Sequence, residues 1–120
     1  MKIHIFHILH SFDIGGMENV IASLVNNMNC DRFRHSICVF SEKMGSLDKI
    51  ERKDVNIFLV KRKFSNDPTF IFRLINILKK ERPDIVATYN WGSVEGVLAA
   101  KMAGIKTIIH SEHGFNIEEI

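Results

Sequence analysis

Ile3-His4-Ile5-Phe6-His7-Ile8-Leu9-His10 is a nearly unbroken apolar run, long enough for one strand. The turn Ser11-Phe12-Asp13-Ile14-Gly15-Gly16 follows, and behind it Val20, Ile21, Leu24, Val25 and Met28 recur at i, i+1, i+4, i+5 and i+8. That second spacing predicts an amphipathic helix with those residues on one face. A strand so rich in Ile and Phe is expected to be buried on both faces, as the middle strand of a parallel sheet is. Gly15 and Gly16 stand where the chain leaves the strand and opens the helix. Without Cβ atoms they serve equally as a tight turn or as a place where a ligand approaches the backbone. The free N–H groups and positive dipole end of the helix suit an anion, most often a phosphate.

The same alternation continues outward. After a polar break at Asn29-Cys30-Asp31-Arg32, His35 to Phe40 reads as strand two, and Ser46 to Lys53 as a short helix with Leu47 and Ile50 inward. Ser46 is its expected N-cap. Val55 to Val60 is strand three, dense in β-branched residues. Asp67-Pro68 starts a helix, Asp as cap and Pro at the first helical position, with Phe70, Ile71, Leu74, Ile75 and Leu78 as its buried stripe. Pro83 stops it. Strand four centres on Ile85 and Val86 and turns at Tyr89-Asn90-Trp91-Gly92. A helix over Ser93 to Ala103 carries small residues (Gly96, Ala99, Ala100, Ala103) that let it lie close on a sheet, and Gly104 is its left-handed stop. Ile105 to His110 is strand five, and Ser111 to Ile120 a loop or the start of another helix.

This β-α-β-α-β-α-β-α-β pattern predicts an α/β domain. Its sheet is doubly wound, Rossmann-like and parallel, with about five strands in the order 3-2-1-4-5 and helices on both faces. Ligands then bind beyond the carboxyl ends of the strands, at the switch between strands one and four. The loops Ser11–Met17, Tyr89–Ser93 and Ser111–Phe115 meet there.

With 120 residues the chain makes one domain, able to bury about two thirds of its unfolded surface. The formal charge of +2 is too small to argue for nucleic acid as a partner. No apolar stretch approaches the 18 or more residues of a membrane span, and the histidines in strand one make it a poor signal peptide. Cys30 and Cys38 fit no disulfide framework or metal spacing, so reduced thiols in a cytoplasmic protein are expected.

The glycine pair lacks G-x-G-x-x-G, and there is no P-loop lysine. Glu42, just past strand two, imitates a ribose-binding acid only in position. His4, His7 and His10 cannot converge on one ion, because positions 4 and 10 face one side of a strand and 7 the other; core or edge histidines are the better reading. His10 lies near the strand's functional end. In His110-Ser111-Glu112-His113-Gly114 a single histidine aimed into the cleft with Glu112 beside it would hydrogen-bond a hydroxyl-rich substrate or move a proton, or the segment is plain loop polarity. Trp91 either stacks on a sugar or base or plugs the gap between two loops. No metal site is expected.

In their order, Ile8-Leu9-His10-Ser11-Phe12-Asp13-Ile14-Gly15-Gly16-Met17-Glu18, Arg82-Pro83-Asp84-Ile85-Val86 with Asn90-Trp91-Gly92, Glu95-Gly96-x-x-Ala99-Ala100-x-x-Ala103-Gly104 and His110-Ser111-Glu112-His113-Gly114 span essentially the whole chain. The set resembles the N-terminal, acceptor-side domain of family 4 glycosyltransferases of the GT-B fold. The resemblance implies transfer of a sugar from a nucleotide-diphosphate donor to a hydroxyl of a glycan or lipid, usually with retention and without a metal. The nucleotide sugar is then a co-substrate and no cofactor is needed. Gly15 and Gly16 would present N–H groups to the donor diphosphate, and His113 would be the catalytic histidine facing the donor sugar. His10, Asn90, Trp91 and Glu112 are candidate substrate contacts.

Two departures qualify the resemblance. Strand four ends Ala87-Thr88-Tyr89 where relatives often carry histidines. Residues 1–120 also match only part of an N-terminal domain, so the C-terminal donor-binding domain is expected as a missing covalent partner, and the chain alone is expected to be inactive. A stand-alone nucleotide-sugar or glycan binding module is the alternative, and a nucleotide-linked oxidoreductase a third. Lys61-Arg62-Lys63 and the basic end of the Pro68–Arg82 helix are either an ordinary solvated face or a peripheral contact with anionic lipid at the inner face of the plasma membrane.

Overall fold

The computed structural model describes residues 2–10, 16–42, 45, 47–63, 67–89 and 94–111. They run β1 (Ile3–Leu9), α1 (Gly16–Asn27), β2 (Phe33–Val39), a 3-10 turn (Leu47–Lys49), β3 (Asn56–Leu59), α2 (Thr69–Glu81), β4 (Ile85–Tyr89), α3 (Val94–Met102) and β5 (Thr107–Ser111). The strands form one parallel sheet in the order β3-β2-β1-β4-β5, as the alternation predicts.

The apolar run that opens the chain becomes the centre because it can be buried on both sides. Ile5 lies between His35 and Ile85, and His7 between Ile37 and Ala87. Every residue of β1 after Ile3 is buried. Phe6 and Ile8 face one layer, with Cys38, Phe70, Leu74, Leu78, Ala99 and Ala100 from β2, α2 and α3. Leu9 faces the other, with Ile21, Val25, Ile37, Val39 and Tyr89. Burying one such large apolar side chain contributes about 1.5–3 kcal/mol, so the two layers carry most of the stability.

Helix α1 differs from its predicted stripe in an instructive way, while α3 packs through the small residues expected of it. In α1 the sheet contact is made by Ile21, Ala22 and Val25, while Val20 and Leu24 stay 52% and 42% exposed. In α3 Ala99 and Ala100 face the core, and Leu98 and Met102 point outward. Close packing on a sheet favours the small side chain at the point of nearest approach, and the long ones are displaced to the flank. Gly96 is the extreme case: a Cβ there would meet Ile8 Cγ2 and Thr88 Cγ2 at 3.0 Å each.

Boundaries also shift. Tyr89 is the last residue of β4 rather than part of the turn, and Ser111 closes β5. The short helix expected from Ser46 shrinks to the single 3-10 turn, although Leu47 and Ile50 do pack inward; Ser46 itself lies outside the described residues. The α2 helix starts at Thr69, with Pro68 as its N-cap residue. Asp67 still caps it, its Oδ1 accepting the Thr69 N–H at 2.9 Å while Oδ2 takes the Lys63 N–H and Arg73 Nη2, each at 2.9 Å. Those bonds, the Thr69 hydroxyl first, hold the Asp67 carboxyl well below the usual range.

Asn26 clips α1 to the segment before β3, donating to Lys49 O and accepting from Glu51 N–H, both at 2.8 Å. Asn26→Ala is expected to cost about 1 kcal/mol, read as a lower urea midpoint with unchanged slope.

Candidate functional site

The two helices flanking β1 and β4 open at the same end of the sheet. Helix α1, after β1, packs on one face of the sheet and α3, after β4, on the other, the switch-point arrangement in which a ligand crevice is expected between them. Ile21 and Ala22 share a cluster with Leu9, Val39 and Tyr89, the last residues of β1, β2 and β4. The start of α1 therefore sits over the carboxyl edge. Gly96, third in α3, brings that helix onto Ile8 and Thr88 at the same edge. Two helix N-termini thus open at this edge of the sheet, an arrangement that favours an anion.

Of the candidate residues, His10 and Gly16 fall at this edge. His10 is exposed directly after β1, its carbonyl accepting the Phe40 N–H at 2.9 Å, and Gly16 is the first residue of α1. Gly15, Asn90, Trp91, Glu112 and His113 lie outside the described residues. Glu42, the imitation ribose acid, is paired with Lys61 at 3.0 Å. Arg62 is paired with Glu95 in the first turn of α3 and lies 4.3 Å over the Phe70 ring. Two of the three basic residues after β3 are thus engaged at this rim.

Beneath α1 a polar line crosses the sheet. The Tyr89 hydroxyl and His7 Nδ1 are 2.8 Å apart, and His7 Nε2 and His35 Nδ1 are 2.9 Å apart, all buried. The His7 ring stacks between those of His35 and Tyr89. Burial, then the neighbouring His35, depresses His7 to about 3; burial, then Arg52, depresses His35 to about 4; burial pushes the Tyr89 phenol up to about 12. At neutral pH all three are uncharged. They act as hydrogen-bonding struts that hold Tyr89, the last residue of β4, in place. On the opposite face His4 Nε2 lies 2.7 Å from Ser36 Oγ and its Nδ1 2.9 Å from Arg34. The histidines of β1 are therefore core residues on alternate faces, with His10 beyond them at the edge.

On the α3 side Thr88 Oγ1 and His110 Nδ1 are 2.6 Å apart across β4 and β5. Neither the His7–Tyr89 pair nor this one is readable from spacing, since they join residues 82 and 22 apart. The usable signal is register: with strands one and four paired in the predicted order, positions of equal parity share a face.

A model of the family described as Glycosyltransferase Family 4 matches residues 14–118. The chain belongs to that family. Over 64 residues it is 38% identical to an Escherichia coli UDP-Gal:alpha-D-GlcNAc-diphosphoundecaprenol alpha-1,3-galactosyltransferase, a match covering 52% of this chain and 15% of that enzyme. Its fold is similar to that of a UGT transferase from Siraitia grosvenorii solved in complex with UDP, at a TM-score of 0.53 and 9% identity, over 88% of this chain and 27% of that one. The chain thus spans well under a third of the length of either protein. Within this Glycosyltransferase Family 4 chain the matched stretch takes in both helix N-termini of the crevice and the ends of β4 and β5.

Proposed function

We infer that the chain forms the acceptor-side lobe of a glycosyltransferase, which moves a sugar from a nucleotide-diphosphate donor to a hydroxyl of a glycan or lipid-linked acceptor. The observation that carries this reading is the pair of helix N-termini that open at the β1–β4 switch, within a stretch matching Glycosyltransferase Family 4. The name of the Escherichia coli relative supports a nucleotide sugar as donor and a lipid diphosphate sugar as acceptor. In this reading Gly15 and Gly16 offer backbone N–H groups to the donor diphosphate, and His113 faces the transferred sugar. His10, Asn90, Trp91 and Glu112 line the acceptor side. Configuration is retained and no metal is needed.

A departing diphosphate needs preorganised positive charge on both sides, and this lobe offers helix ends on one side only. The 120-residue chain is therefore expected to bind nucleotide sugar weakly and to yield no transfer product above a no-protein control. Titration with UDP-galactose, followed by amide NMR, is expected to move the Gly15, Gly16 and His113 signals first. Shifts confined to other regions would overturn the site, and product formation by the chain alone would overturn the half-site reading.

A further inference from the structure

At the opposite edge of the sheet, α2 and α3 both end beside a cleft of about 530 Å³ that the crevice does not share. Its floor is apolar, made by Leu78, Ala103 and Ile105, and its rim carries Lys79, Arg82 and Lys106. The volume lies within the ~300–1,000 Å³ typical of small-molecule sites.

Charge and backbone both single this cleft out. None of the three cations takes part in an ion pair among the described residues, whereas Lys61, Arg62 and Arg73 at the other end of α2 all do. The one carboxylate in the lining, Asp84, is already bonded to the His4 N–H at 2.8 Å. Each helix C-terminus adds about half a negative charge, which leaves the cleft net positive by about one charge. The two helices also stop differently. Gly104 takes the left-handed turn after α3 at φ 85, but after α2 the same kind of turn is taken by Arg82 at φ 48. Glycine adopts that conformation freely and an L-residue at a cost, so a long cationic side chain is held at the cleft against local preference. A guanidinium with two ammonium groups matches a phosphate dianion, which accepts from several donors at once.

We propose that this cleft binds a phosphate group carried on a small organic body, the phosphate on Arg82, Lys79 and Lys106 and the body on Leu78, Ala103 and Ile105. The same chemistry is offered by a soluble phosphate ester and by a phospholipid headgroup. The site is independent of the crevice and of the sugar-transfer reading.

The test uses the intact chain with two probes: glycerol 3-phosphate followed by amide NMR, and sedimentation with vesicles of phosphatidylcholine alone or mixed with phosphatidylglycerol. Expected is saturable movement of the Lys79, Arg82 and Gly104–Lys106 amides, or capture by the mixed vesicles only. The first outcome assigns a soluble ester and the second a headgroup. Arg82→Gly relieves the left-handed turn, so it is expected to melt no lower than the wild type while weakening binding at least tenfold; Lys106→Ala is expected to weaken it several-fold. Lys61→Ala, an equal loss of charge at the far end of α2, is expected to change nothing. No binding of either probe, capture by neutral vesicles as well, or equal weakening by Lys61→Ala would overturn the site.

Discussion

Acidification from pH 7 to pH 4 is expected to remove roughly 6 kcal/mol of stability through His7 and His35 alone, about half through each. An unfolded histidine takes its proton near pH 6.5, but in the folded chain His7 waits until about 3 and His35 until about 4. Between those values the unfolded chain binds more protons, so stability rises with pH there and falls as pH drops. Little is lost above about pH 7, and the loss levels off only once the pH has passed below the folded-state value of His7, about 3. The structural reason is that both His7 nitrogens are already engaged with Tyr89 and His35, while buried His35 Nε2 has no hydrogen-bond partner among the described residues. Arg52 lies close enough to oppose the charge, as does His4, and Asp54 favours it only partly. Urea titrations at pH 7, 5.5 and 4 check this. His7→Gln, which keeps hydrogen-bonding capacity but does not titrate, is expected to flatten about half of the slope. The carboxylate contribution is separable: Asp67 sits below its usual range, so its share is lost only as pH falls below about 4. An unchanged slope in His7→Gln would show that the polar line is not the acid-sensitive element.

Gly96→Leu is expected to be the most damaging single change at the α3–sheet contact, costing about 3 kcal/mol or more. A Cβ alone would sit 3.0 Å from methyl groups of Ile8 and Thr88. Both neighbours are fully buried and branched at Cβ, so their γ methyls cannot swing aside without leaving a favoured rotamer. Gly96→Ala is the informative companion. It gains about 1 kcal/mol of helix propensity and loses it again to the contact, so its net effect should fall within about 1 kcal/mol of zero. Thermal melts of the two variants check the pair. A leucine variant melting like the wild type would mean that α3 can rise off the sheet, and the α3 N-terminus would then not be fixed at the crevice.

The strand order was legible because alternation of apolar runs and helical stripes, with connections too long for hairpins, leaves few parallel arrangements open. The central strand announced itself by hydrophobicity on both parities. Which flank of α1 touches the sheet was not legible, whereas the small residues of α3 did point to its close face. In α1 the predicted stripe included Val20 and Leu24, yet those two stay exposed while Ala22 is buried beside Ile21 and Val25. Periodicity measures where apolar residues lie around a helix but not how near the sheet comes. The polar line was half legible. Parity showed that the three histidines of β1 could not meet, but partners in β2 and β4 depend on register, which a single strand does not encode. At the site, the switch-point rule places His10 and Gly16 at the edge where the structure has them. The roles of Gly15, Asn90, Trp91, Glu112 and His113 rest on the resemblance, and those residues lie outside the described ones.

The position of β1 in the middle of the sheet has a consequence for biosynthesis. Its partner on one side is about 30 residues downstream, but Ile5 meets Ile85 only after 80 more residues have been made. At ~5–20 residues per second, a ribosome leaves that edge unpaired for roughly 4–16 s. Through that interval a segment rich in Ile and Phe presents an unpaired strand edge, the kind of surface that favours association between nascent chains until β4 arrives.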